Sequence, residues 1–79
     1  MSDNYPMYET IAGQASESIT TARLCEHLRL AAEAAYVIGH LKKANGGELI
    51  GTGFLAIGQL LERMVRQVTS LATKGKLLR

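Results

Sequence analysis

The chain has one cysteine, one proline and no tryptophan among its 79 residues. A lone Cys25 rules out an internal disulfide, and no cluster of cysteine and histidine has metal-ligand spacing. These absences matter at this length. A domain this small buries only about 60–65% of its unfolded surface, so its own core is marginal. Small scaffolds need a disulfide, a metal or a partner. With the first two missing, self-association is the expected remedy, and no cofactor or metal is expected.

Charge of either sign is also scarce. Nine Lys and Arg stand against seven Asp and Glu, a net charge of +2 with a pI near 8.9. That balance is too weak to imply nucleic acid by itself. No apolar run approaches the about 20 residues of a bilayer span. The longest uncharged stretch, Leu49 to Leu61, is diluted by Gln59 and by glycines. No basic segment followed by an apolar one opens the chain, so no secretory signal is expected. The expectation is a soluble, cytoplasmic protein, and a single thiol suits a reducing compartment.

What the chain does have is apolar periodicity. Hydrophobic residues make up 47% and charged residues 20%, ordinary for a globular chain and unlike a disordered one. From Ile50 to Leu71 the apolar positions are Ile50, Phe54, Ile57, Leu61, Met64, Val68 and Leu71. Their steps alternate four and three, the stripe of a helix lying along another helix. Thr52, Gln59, Arg63, Arg66, Ser70 and Lys74 fall on the other side.

Residues 1–15 read as an N-terminal arm, interrupted by Pro6 and ending at Gly13. Two readings compete for it. It drapes over a helix end and tucks in Tyr8 or Ile11, or it is a strand exchanged with a second copy. Ser16 or Ser18 can cap a first helix running to about Ala44, with Glu17 suited to its first turn. Leu24, Leu28, Ala31, Ala35 and Ile38 form one seam on it, and Leu30, Ala34, Val37 and Leu41 a second. Two seams suit a bundle in which each helix has two neighbours.

Asn45-Gly46-Gly47 stops the first helix, and Lys42 and Lys43 lie in its last turn. A second helix follows from about Glu48 to Thr73, and the basic tail 74–79 is expected to fray. The fold class is therefore all-α: a hairpin of residues 16–73, with antiparallel helices about 16–44 and 48–73. Each arm would be about 40 Å long. The hairpin is expected to dimerise into a four-helix bundle, with Leu24, Leu28, Ile38, Leu41, Ile50, Phe54, Ile57, Leu61, Met64, Val68 and Leu71 in the core or dimer interface.

Small residues form their own lines. Gly51 and Gly58 lie one heptad apart on helix two, and Cys25, Ala32 and Gly39 match them on helix one. They read as close-packing tracks. The rival reading is that Gly51, Gly53 and Gly58 loosen the start of helix two, since each costs about 1 kcal/mol against alanine.

No side chains carry an enzyme signature. His27 falls in the apolar arc of helix one without an orienting partner or nucleophile, and a pH switch is the sharper reading of it. Cys25 reads as a small hydrophobe. Arg29, Glu33, Tyr36, His40 and Lys43 form an outer stripe on helix one. Tyr and Arg are over-represented in binding hot spots, so Arg29, Glu33, Tyr36 and His40, with Leu55 on helix two, are candidate partner-binding residues. Arg63, Arg66, Lys74 and Lys76 form a loose basic strip that could meet phosphates, offset by Glu62 and without aromatic residues for base stacking.

The order of Tyr8, Ile11 and Gly13 before an alanine- and leucine-rich helix and a second apolar helix resembles small uncharacterised bacterial helical-hairpin proteins. That resemblance brings no catalytic residues. In plan the chain is also similar to the small plasmid RNA-binding hairpin that dimerises into a four-helix bundle, which implies an RNA role by architecture alone. The functional expectation is a non-enzymatic, homodimeric protein-interaction module such as an adaptor, inhibitor or regulator. The alternative is a nucleic-acid-binding regulator using the helix-two strip. An apolar surface lying on a membrane is a third reading, and no membrane span is expected.

Overall fold

The structure, a computed structural model, describes residue 13 and residues 16–77, the last two by backbone alone. Both readings of the N-terminal arm, the Lys76 side chain and Arg79 lie outside the described residues. Two helices form an antiparallel hairpin: α1 at Glu17–Ala44 and α2 at Glu48–Leu77. Among the described residues there is no strand.

The ends of α1 follow from local chemistry. Ser16 is extended and its Oγ accepts the Ile19 N–H at 3.3 Å, satisfying one of the helix's orphan donors. At the other end Gly46 takes φ +88°, the left-handed region that a side chain disfavours. The Gly47 N–H then reaches back to the Lys42 carbonyl at 2.7 Å, and the Gly46 N–H to that of Lys43 at 3.2 Å. This paired reversal closes the last carbonyls and aims the chain back along α1. An ion pair of Lys43 Nζ with Glu48 Oε2 at 3.5 Å bridges the turn. α2 runs four residues beyond Thr73, where the apolar stripe ends. Lys74 suits the negative end of the helix dipole.

The line of contact between the helices differs from the one the large apolar residues suggest. On α1 the buried positions are Cys25, Ala32, Ala35 and Gly39. On α2 they are Gly51, Gly58 and Val65. Leu28, Phe54, Leu61 and Val68 are half-buried at its edge. Each helix is thus turned by part of one residue step from the expected seam, in which Ala35 stays buried. Cys25, Ala32 and Gly39 face inward instead of Leu24, Ala31 and Ile38, and Gly51, Gly58 and Val65 instead of Ile50, Ile57 and Met64.

The reason is backbone approach. A methyl group at Gly51 would lie 2.6 Å from the Gly39 carbonyl oxygen, and one at Gly39 2.9 Å from the Gly51 oxygen. Only residues without side chains allow two helices this close, and close approach gains dispersion contacts along their length. Gly51, Gly58, Cys25, Ala32 and Gly39 are packing tracks, and the start of α2 is seated on α1 through them.

Candidate interaction surface

Turning both helices of an antiparallel pair in the same sense moves both displaced lines to the same side. The large apolar residues of α1 and α2 therefore share one broad face. Leu24, Ile38, Leu41, Ile50, Ile57, Leu60, Met64 and Leu71 are all exposed on it. Ile57 and Leu71 remain 46% and 67% exposed. A shallow hollow of about 290 Å³ at the turn end joins Ile38, Leu41, Lys42, Asn45, Gly47 and Ile50, so the face is continuous across both helices. Of the residues expected in the core or dimer interface, Leu24, Ile38, Leu41, Ile50, Ile57, Met64 and Leu71 lie outside the hairpin's own seam, on the face it leaves open. Leu28, Phe54, Leu61 and Val68 touch both seam and face.

The other side is closed and polar. The Tyr36 ring lies over Gly58, where a methyl group would sit 2.8 Å from its Cε1. The Tyr36 hydroxyl donates to Glu62 Oε1 at 2.8 Å. Leu55 covers Gly39 in the same way, 2.7 Å from a methyl group placed there. Tyr36 and Leu55, read from the sequence as outward-facing, are instead half-buried clasps between the helices. The glycines explain the difference: they open a depression that a large neighbouring side chain fills. Arg29, Glu33 and His40 are exposed beside this clasp. The hydrogen bond to Glu62, then burial and the Glu62 charge, raise the Tyr36 pKa above its ordinary 10.0, against a smaller opposing effect of Arg66.

The basic residues do not converge. Arg63, Arg66 and Lys74 are exposed, but Arg66 flanks the Tyr36–Glu62 pair while Arg63 and Lys74 lie round the helix from it. His27 is exposed on the apolar side of α1, between Leu24 and Ala31. Cys25 is buried. At the open end the helices part around a cleft of about 570 Å³, walled by Thr21, Cys25, Thr69 and Ala72 among others. Among the described residues no three His, Cys, Asp or Glu stand close enough to hold a metal ion, and no helix is long and apolar enough to cross a membrane.

The back of α1, facing away from α2, could not be separated from the second predicted seam by periodicity. It carries Leu30 and Val37, both exposed, with Ala34 between them. α1 is therefore apolar on three sides: the seam, the shared face and the back. Compared with known proteins, the chain matches no family model, no curated protein and no solved structure.

Proposed function

We propose that this protein is a non-enzymatic helical module that works as a homodimer, two hairpins forming a four-helix bundle through their apolar faces, and that it acts by protein–protein contact. The observation that carries the reading is the uncovered row of Ile50, Ile57, Met64 and Leu71 beside Leu24, Ile38 and Leu41. Exposed apolar patches of this extent mark interaction sites on small proteins. The face is about 40 Å long and about 18 Å wide, so it offers roughly 700 Å² to a partner, near the about 800 Å² per side of a stable interface.

A second copy fits this face because it brings an apolar surface of the same length. Lys42 at the turn-end hollow borders this face, while Arg29, Glu33, Glu62 and Arg66 lie on the side of the Tyr36 clasp. The back of α1, with Leu30 and Val37 between Arg29 and Glu33 on one hand and the bundle on the other, is the surface left for a different protein.

Light scattering on the full chain tests the reading. The expected mass is twice 8.5 kDa. The double substitution Ile57→Glu with Met64→Glu should abolish dimerisation, because four carboxylates would have to be desolvated at the centre of the interface. A wild-type chain that stays helical, cooperative in unfolding and single at high concentration defeats the proposal.

A further inference from the structure

We infer that the two copies lie head to tail, with their turns at opposite ends, so that α1 stacks on α1 and α2 on α2. This rests on the dimer proposed above. Two features of the face carry it.

The first is the size of its levels. Tyr36 over Gly58 and Gly39 over Leu55 fix the register of the hairpin. That register sets Ala31 level with Met64, and Ile38 level with Ile57. The Ala31 level is smaller than the Ile38 level, chiefly because alanine lacks three of isoleucine's side-chain carbons. With turns at the same end, each level would meet its own copy. One layer would hold two alanines and two methionines, and the next four isoleucines. The first would then fall short by roughly six methyl-sized groups, where interiors tolerate few voids. Head to tail, Ala31 and Met64 meet Ile38 and Ile57 of the other copy, twice, and the two central layers become equal.

The second feature is relief. Leu71, near the open end at the edge of the cleft there, is 67% exposed. The hollow of about 290 Å³ lies at the turn end, lined by Ile38, Leu41 and Ile50 together with Lys42, Asn45 and Gly47. Only the head-to-tail arrangement brings the exposed leucine of each copy over the hollow of the other. With turns together, hollow would face hollow and Leu71 would face Leu24 of the other copy. The geometry thus assigns Leu71 and the turn-end hollow as a reciprocal knob and socket between copies.

Distances between spin labels decide the orientation. Labels are placed at Glu48→Cys, and separately at Thr52→Cys, in full-length protein carrying Cys25→Ala. Both sites are exposed and off the apolar face. Head to tail, the Glu48 labels should lie about 40 Å apart and the Thr52 labels about 10 Å closer, given 1.5 Å of rise per residue counted from both copies. With turns together, both pairs should lie about 20–25 Å apart with little change between sites. That result, or a mixture of the two distances, overturns the inference while leaving the dimer intact. A labelled protein with the mass of one chain defeats the dimer itself, and the orientation with it.

Discussion

Gly51 and Gly53 stand two positions apart in α2 and differ in everything but identity. Gly51 is pressed against the Gly39 carbonyl and the Lys43 backbone, while a methyl group at Gly53 would meet nothing within 4 Å. Alanine at either site should gain helix propensity of about 1 kcal/mol. At Gly53 that gain should appear as added stability. At Gly51 the methyl group must push apart two backbones, which cannot yield as a flexible side chain can. Overpacking costs typically about 1–3 kcal/mol, so Gly51→Ala should be net destabilising. Urea unfolding of the two variants checks this. Equal effects would mean that the helices are not held at the separation seen here.

The pair of helices is fastened on one side by Tyr36 and Glu62, and this clasp has a pH signature. The folded-state pKa of Tyr36 is raised above 10.0, first by its hydrogen bond to Glu62. A raised pKa means that the contribution is fully present below the unfolded value and is lost as pH climbs through the folded one. Above that point a phenolate would face the Glu62 carboxylate. Wild-type protein should therefore be more stable than Tyr36→Phe at neutral pH. The gap in melting temperature should narrow as pH rises past the ordinary tyrosine pKa of about 10. A gap that is the same at neutral pH and across that alkaline rise would show that the hydroxyl contributes nothing through this bond.

At the scale of the molecule, the hairpin keeps its small side chains in the seam and leaves most of its large aliphatic ones outside. The proposed dimer would supply the burial that the hairpin lacks. Its unfolding should then depend on concentration, as it does for any complex whose partners dissociate when they unfold. About a hundredfold dilution removes about 2.7 kcal/mol of association free energy. For a chain of this length that corresponds to a drop of several degrees in Tm. Thermal melts by circular dichroism over that concentration range test it, and a Tm independent of dilution would mean that the hairpin is stable alone.

Much of this was determined by the sequence alone. The alternation of three and four, the Ser16 cap and the Asn45-Gly46-Gly47 stop are local signals, because each depends on neighbours within a turn or two. So are the matched lines of small residues. Which line each helix turns inward was not local. Large and small stripes lie one residue apart on both helices, and either could have faced the partner. Only packing two backbones together decided it, since dispersion rewards the closest approach that side chains permit. The same choice made Tyr36 and Leu55 clasps rather than outward residues, because the depressions they fill belong to glycines on the other helix. It also put Leu24, Ile38, Leu41, Ile50, Ile57, Met64 and Leu71 on one outer face.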